Sequence, residues 1–169
     1  NDVNDAPTAI ALSATAINEN AAGAVVGTLT TTDVDAGDSH TYSLSGTDAA
    51  SFEVVDAALR VKSGTWFDFE TKSSYSVEVT STDAGSNTIT KSLTVNITNV
   101  NEAPTDIAGY DPQRVYENVS GASFASLSSI DPDVSDTFTY SVTGGTDASS
   151  FEIGSSNTLK FKSTVSGNF

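Results

Sequence analysis

The residues that could carry chemistry in this chain are acidic, and they occur in short, closely spaced groups. Carboxylate, amide and carbonyl oxygens with no nitrogen or sulfur ligand nearby are the donors that Ca²⁺ prefers, typically about six to eight oxygens per ion. Each group falls between segments of alternating hydrophobicity, which places it in a loop at the end of a strand. The groups therefore predict hard-cation sites in loops, formed by Asn18-Glu19-Asn20, Asp33-Val34-Asp35, Asp68-Phe69-Glu70, Asp83 and Asn99-Val100-Asn101-Glu102-Ala103-Pro104.

The overall charge and the rare residue types exclude several classes of function. The 169 residues include 22 acidic and 7 basic side chains, a net charge of −15, whereas a nucleic-acid-binding surface must be basic. There is no Cys and a single His, His40, so Cys/His zinc sites and thiol chemistry are excluded. His40 stands at the start of a predicted strand, where we expect it to be exposed and without a catalytic role. We find no catalytic constellation and predict that the chain is not an enzyme.

The chain repeats itself at a period of about one hundred residues. Asn4-Asp5-Ala6-Pro7-Thr8 returns as Asn101-Glu102-Ala103-Pro104-Thr105 at an offset of 97. Further matches follow in register at offsets of 98 to 100, among them Asp33-Val34-Asp35 with Asp131-Pro132-Asp133. Offsets that increase in single steps indicate one-residue loop insertions in a shared framework. With no Met in the sequence, we expect this chain to be part of a longer protein.

The second copy is expected to be incomplete. Phe69 matches Phe169 at an offset of 100, so positions equivalent to 70–99 have no counterpart. Those positions include the last two predicted strands of the first copy, and their loss would leave apolar positions such as Phe151, Leu159 and Phe161 unburied. We expect the second copy to be poorly ordered, to borrow strands from another molecule, or to have been trimmed by proteolysis.

Alternation with a period of two dominates the first copy and predicts β-strands throughout. Tyr75, Val77 and Val79 share one face of a predicted strand, and no stretch sustains a helical period. The other predicted strands are Ile10–Leu12, Val25–Leu29, Thr41–Leu44, Phe52–Val54, Leu59–Val61 and one through Leu93, Val95 and Ile97. Seven short strands per hundred residues predict an all-β fold, a tandem of immunoglobulin-like Greek-key β-sandwiches whose second copy is incomplete.

The acidic motifs and their period resemble those of cadherin repeats. The resemblance rests on the first-loop Glu, D-x-D, D-x-E and the Asn-rich linker, in this order and repeated. The segments N-E-A-P-T, D-A-S-S-F-E and F-D-F-E are similar to the cadherin-like repeats of large bacterial surface adhesins. The resemblance implies one linker at 1–7, a complete repeat at 8–100, a calcium-binding linker at 101–104 and a partial repeat at 105–169.

The resemblance also implies that Ca²⁺ binds at the junction between repeats and draws ligands from both. The implied inter-repeat ligands are Glu19, Asp68, Glu70, Asn99, Val100, Asn101, Glu102, Ala103, Asp131 and Asp133, with Val100 and Ala103 contributing carbonyls. A second, half-formed site at the N-terminal junction would use Asp2, Asn4, Asp5, Asp33, Asp35 and Asp83. Asn99 stands where the family usually has Asp, and Glu102 replaces the commoner Asp.

The function implied by the resemblance is non-catalytic and mechanical. Ca²⁺ at the junction would rigidify a rod of tandem repeats in a secreted or surface-anchored bacterial protein that mediates adhesion to a cell or surface. The partners would be neighbouring repeats, homophilic repeats of another molecule, or cell-surface polysaccharide. Two alternatives stay open: a polysaccharide-binding module in which Trp66, Tyr110 or Tyr116 stacks on sugar rings, and an accessory domain of an extracellular enzyme.

Overall fold

The protein is described by a computed structural model that covers residues 3–109 and 118–165. The chain divides into two compact units, Asn1–Val100 (unit 1) and Asn101–Phe169 (unit 2). Strands and single 3₁₀ turns are the only regular structure among the described residues, as the sequence pattern predicts. None of those residues belongs to a helix that is long and apolar enough to cross a bilayer.

Unit 1 is a β-sandwich of two four-stranded sheets. One sheet has the order β1-β3-β6-β5 and the other β2-β8-β7-β4, with β2 parallel to β8 and every other pair antiparallel. The strands are β1 (Ala9–Leu12), β2 (Ala16–Asn18), β3 (Val25–Thr32), β4 (Thr41–Ser45), β5 (Phe52–Val55), β6 (Ala58–Val61), β7 (Ser74–Thr82) and β8 (Thr88–Thr98). The predicted strands are all present. The additional strand, β2, was missed because its three residues contain a single large apolar side chain, Ile17.

The core of unit 1 lies between the two sheets. Val77, Val79 and Val95 are fully buried on β7 and β8, and they face Leu59 and its neighbours on the other sheet. Intervening residues of β7 and β8 point to solvent, which is the burial pattern that their alternation predicts. Each buried aliphatic side chain stabilises the fold by about 1.5–3 kcal/mol relative to an exposed one.

The sandwich places the acidic loops at its two ends. The pairing of Ala9 with Thr32 and of Thr41 with Thr82 brings residues 3–5, 33–40 and 83–87 to one end. Asn18 pairs with Thr98 at the opposite end, near the start of β7 at Ser74. Groups that are far apart in the sequence therefore meet in two sets.

Unit 2 contains the counterpart of only one of these sheets among its described residues. Its strands form the orders β10-β13-β12 and β11-β9. By the repeat, these strands correspond to β1, β3, β5 and β6 of unit 1, with the counterpart of β3 divided in two. They are β9 (Asp106–Ala108), β10 (Ser123–Ser126), β11 (Ser128–Ile130), β12 (Phe151–Gly154) and β13 (Thr158–Phe161).

The three apolar residues of the second copy that were predicted to be unburied lie between buried and exposed in the structure. Their counterparts in unit 1 are 3% exposed or less, whereas Phe151, Leu159 and Phe161 are half-buried. Poor order, borrowed strands and proteolytic trimming stay predictions.

Candidate calcium sites

The first acidic set lies at the end of unit 1 that carries its N-terminal segment, and we call it the N-terminal half-site: Asn4, Asp5, Asp33, Asp35 and Asp83. Asp83 is 6% exposed and accepts hydrogen bonds from the Asn87 backbone N–H at 2.7 Å and from Asn4 Nδ2 at 2.9 Å. Burial alone would raise the pKa of Asp83, but hydrogen bonds from Asn87 and Asn4 outweigh it and lower the pKa. Asp83 is thus held as a carboxylate.

Backbone amides tie the other members of the N-terminal half-site together. Asp5 donates its N–H to Asp35 Oδ2 at 2.6 Å, and Asp35 donates its N–H to Asp33 Oδ1 at 3.1 Å. Asn4 Nδ2 also donates to the Asp5 carbonyl at 3.1 Å. The structure therefore brings these five residues into one network, while the predicted ligand Asp2 lies outside the described residues.

His40 is part of this region, and the expectation that it would be exposed is wrong. Its Nε2 lies 3.0 Å from Asp33 Oδ2, and the two side chains are only 12% and 5% exposed. The Asp35 N–H is the largest influence that lowers the pKa of Asp33, followed by the hydrogen bond to His40. His40 was misjudged because the loop 33–40 folds back on itself, which its position beside a strand does not indicate.

Unit 2 repeats the three hydrogen bonds that join Asn4, Asp5, Asp35 and Asp33. Glu102 donates its N–H to Asp133 Oδ2 at 2.7 Å, and Asp133 donates its N–H to Asp131 Oδ1 at 2.9 Å. Asn101 Nδ2 donates to the Glu102 carbonyl at 3.0 Å, as Asn4 does to Asp5. Two segments with different side chains thus build the same loop geometry, because the acidic residues that cap the backbone recur at the same spacing.

A third carboxylate completes the cluster in unit 2. Oxygens of Asp131, Asp133 and Asp136 all lie within 4.8 Å of one another, and Asp133 is 8% exposed. Sequence reasoning missed Asp136, although it matches Asp38 of the first copy at the offset of 98. Asp38 belongs to the equivalent cluster of unit 1, together with Asp33 and His40.

The unit 2 cluster contains an unsatisfied oxygen that fits a cation. Asp131 Oδ2 is buried and has no hydrogen-bond partner among the described residues. Its counterpart, Asp33 Oδ2, is contacted by His40, but the matching position in unit 2 is Phe138, which has no donor. A buried carboxylate oxygen without a partner is costly, and a cation coordinated by the surrounding oxygens would satisfy it. The oxygen-only donor set fits Ca²⁺.

The second acidic set of unit 1 lies at the opposite end of the sandwich and is organised by Glu19. This side chain is 3% exposed, and its two oxygens accept hydrogen bonds from the Phe69 N–H at 2.9 Å and the Val100 N–H at 2.8 Å. An oxygen of Glu70 lies within 4.8 Å of an oxygen of Glu19, and Asn99 Nδ2 donates to Glu70 Oε1 at 3.0 Å. We call Glu19, Glu70, Asn99 and Val100 the C-terminal half-site of unit 1.

The other residues that the sequence singled out lie outside these clusters or outside the described residues. Asp68 is exposed and accepts hydrogen bonds from the Thr71 hydroxyl and N–H, which lower its pKa, and it is not part of the Glu19 cluster. Ala103 is exposed in the linker. Trp66 is 66% exposed, whereas Tyr110 and Tyr116 lie outside the described residues.

The stability of unit 1 should fall at low pH even without metal. The pKa values of Asp33, Asp83 and Asp48 are lowered by hydrogen bonds, those of Asp48 coming from Lys72 and the Ser76 N–H. A carboxyl whose pKa is lower in the folded state stabilises the fold above its unfolded pKa, about 3.9 for Asp. Unfolding by urea in EDTA should therefore become easier as the pH drops from about 5 to 3. Asp48→Asn should flatten this dependence, and an unchanged curve would contradict the assignment.

Comparisons with known proteins agree with this architecture. Human protocadherin-24 EC1-2 superposes with a TM-score of 0.65 at 20% identity, over 94% of this chain and 80% of that one. Mouse cadherin-23 EC22-24 gives a TM-score of 0.61 at 22% identity, over 94% of this chain and 54% of that one. At these identities the likeness shows the fold alone. No curated protein sequence matches the chain.

The family follows from the sequence itself. The cadherin domain model matches residues 13–98, which are about half of the chain and nearly all of unit 1. The chain thus belongs to the family of cadherin domains, which are extracellular, non-catalytic adhesion modules that generally bind Ca²⁺.

Proposed function

We propose that this chain is a Ca²⁺-dependent adhesion module in which cations at the junction of its two repeats hold the repeats in one orientation. The observation that carries the proposal is the buried, unpaired Asp131 Oδ2 within the cluster of Asp131, Asp133 and Asp136. None of the residues that the structure describes donates a hydrogen bond to this oxygen, and a Ca²⁺ ion would supply a partner.

The proposed ligands come from both sides of the linker. Unit 1 would contribute its C-terminal half-site. Unit 2 would contribute Asn101 and Glu102 together with the cluster of Asp131, Asp133 and Asp136. Val100 and Asn101 are consecutive, so the linker itself joins the two sets. The Ala103 carbonyl would join them directly. Asp68 would join them once its hydrogen bonds from Thr71 rearrange. Ca²⁺ supplies two positive charges that offset the repulsion among these carboxylates.

Each set of residues has a separate task in this mechanism. Glu19 holds the Phe69 loop and the start of the linker through its two backbone hydrogen bonds, which orients the neighbouring ligands. Asp133 fixes the linker at Glu102 in the same way. Because both anchors are carboxylates, a shared cation would couple them and restrict the linker, while repulsion would favour their separation without one.

X-ray scattering of the full chain tests whether calcium rigidifies it. We expect a narrower distribution of shapes in millimolar CaCl₂ than in EDTA. Asp133→Asn should abolish the difference, because it removes one charge and weakens the Glu102 anchor. Asp147→Asn is the matched control, since Asp147 is exposed in a different loop of unit 2. Scattering curves that coincide with and without calcium would refute rigidification.

We further propose that the module belongs to a secreted or cell-surface bacterial adhesion protein. This setting is supported by the resemblance of its N-E-A-P-T and F-D-F-E motifs to bacterial cadherin-like repeats. Homophilic pairing is the first candidate for its partner, and the solved structures it resembles include a protocadherin gammaB7 EC3-6 cis-dimer. Trp66, two-thirds exposed, is the one described aromatic that favours polysaccharide instead. A glycan array probed in calcium, with Trp66→Ala as the comparison, distinguishes the two.

A further inference from the structure

The loop at 33–40 of unit 1 holds a group of side chains that includes a nitrogen donor, and we call it the His40 cluster: Asp33, Asp38 and His40. One ligand atom from each of these residues lies within 4.8 Å of those of the other two. His40 Nε2 and Asp33 Oδ2 are 3.0 Å apart. The cluster shares Asp33 with the N-terminal half-site, whereas Asp38 and His40 are not members of that half-site. Its mixed donors therefore distinguish it from the oxygen-only sets described above.

Asp38 carries the observation that points to a ligand. Its Oδ1 accepts the Ser39 N–H at 2.9 Å, whereas its Oδ2 is buried and has no hydrogen-bond partner among the described residues. The contact with His40 provides Asp33 with a partner but leaves this oxygen of Asp38 without one. Because a buried carboxylate oxygen without a partner is costly, a cation that coordinates it would stabilise the loop.

A tight turn brings the members of the His40 cluster together. Asp38 donates its N–H to the Asp35 carbonyl at 3.2 Å, and Gly37 has a φ of +89°, in the left-handed region that favours glycine. Beside the turn lies a solvent-open cavity of about 350 Å³, whose lining includes Asn4, Asp35 and Asp38. An ion therefore has a path from solvent to the Asp38 side chain.

Unit 2 shows that the histidine distinguishes the two repeats. At the offset of 98, the counterparts of the His40 cluster are Asp131, Asp136 and Phe138. The unit 2 cluster therefore offers oxygens alone, which suit Ca²⁺. An imidazole beside carboxylates suits Zn²⁺ and other divalent transition metals instead. A single position thus changes the class of metal that the same loop geometry favours.

We propose that the His40 cluster binds a divalent transition metal of the Zn²⁺ class, with one oxygen each from Asp33 and Asp38 and Nε2 from His40. Zn²⁺ lies about 2.0–2.2 Å from such atoms, which spaces them about 3–3.6 Å apart, and Asp33 and His40 already have that spacing. Three protein ligands leave a fourth position for water, and His40 must carry its ring proton on Nδ1 so that Nε2 is free to coordinate. This donor set needs neither Cys nor a second His. It does not depend on calcium at the junction, which uses other residues.

Isothermal titration calorimetry of the full chain with Zn²⁺ tests the proposal. His40→Phe copies the residue of unit 2 and should weaken Zn²⁺ binding at least about tenfold, because it removes the nitrogen donor of the cluster. Asp38→Asn should weaken binding in the same direction. Asp56→Asn is the matched control and should leave the affinity unchanged, since Asp56 is exposed in the turn between β5 and β6. Equal Zn²⁺ affinities for the wild type and His40→Phe would overturn the proposal, because the acidic surface would then bind the ion nonspecifically.

The imidazole resonances of the unmodified chain supply a second measurement, because His40 is its single His. Stoichiometric Zn²⁺ should shift the ¹⁵N resonance of Nε2 to that of a coordinated nitrogen and leave the proton on Nδ1. Ca²⁺ at the same concentration should not produce this change, because Ca²⁺ takes oxygen ligands. Resonances of His40 that Zn²⁺ leaves unchanged would overturn the proposal, whatever the variants do to folding. A failure of calcium to rigidify the chain would leave this result unaffected.

Discussion

Heating this chain in EDTA should unfold it at a clearly lower temperature than heating it in millimolar CaCl₂. A cation that binds only the folded state stabilises it by mass action, by about 1.4 kcal/mol per site when its concentration is about ten times Kd. For a domain of about 100 residues this shifts Tm by roughly 5–10 °C per site. The clustered carboxylates of Asp131, Asp133 and Asp136 are the reason to expect such a site.

Magnesium provides the control for this experiment. Mg²⁺ demands a smaller, octahedral set of ligands and gives up its water reluctantly, so loops built from several carboxylates and carbonyls favour Ca²⁺. The same concentration of MgCl₂ should raise Tm far less. An identical Tm in EDTA and in CaCl₂ would show that the clusters are solvated surface, and an equal rise in MgCl₂ would show nonspecific screening of the negative charge.

Replacing Glu19 by Ala should lower the free energy of unfolding of unit 1 by about 2–4 kcal/mol, even in EDTA. The carboxylate is 3% exposed and accepts the N–H groups of Phe69 and Val100. Truncation leaves both donors without this partner and opens a small void at the end of the sandwich. Urea unfolding in EDTA measures this structural role separately from any calcium binding.

A Gln variant at position 19 separates the contribution of the side chain's shape from that of its charge. Glu19→Gln keeps one acceptor oxygen and most of the volume, so its loss of stability in EDTA should be smaller than that of the Ala variant. It should nevertheless weaken the response to calcium, since it removes a charge. Glu78→Gln is the control, because Glu78 is exposed on β7 and accepts a hydrogen bond from the Ser45 hydroxyl. Equal losses of stability from Glu19→Gln and Glu78→Gln would contradict the role of Glu19 as a buried anchor.

Periodic features of the chain could be predicted from the sequence alone. The alternation along β7 and β8 specifies which side chains enter the core, because a strand turns successive residues to opposite faces. The internal repeat predicted that Phe151, Leu159 and Phe161 would be unburied, and the structure shows them half-buried. These inferences need only local geometry and a count of strands.

The composition and order of the acidic motifs likewise predicted the cadherin family, which the match over residues 13–98 shows. A loop carboxylate that caps a backbone N–H does so through its immediate neighbours. The Asp35 N–H that reaches Asp33 and the Asp133 N–H that reaches Asp131 are contacts of this kind. Such short-range contacts recur wherever the motif recurs.

Contacts between distant loops were decided only by the tertiary structure. Asn4 Nδ2 reaches Asp83, 79 positions further along the chain, because separate loops meet at one end of the sandwich. Glu19 accepts the N–H groups of Phe69 and Val100 at the other end for the same reason. Asp68 accepts a hydrogen bond from the Thr71 hydroxyl and lies outside the Glu19 cluster, which its D-x-E spacing with Glu70 does not indicate. The presence of His40 in one copy and Phe138 in the other leaves one aspartate oxygen paired and its counterpart bare. Side-chain partners at a site depend on how loops from separate strands meet in space, whereas the alternation of a strand is written along the chain itself.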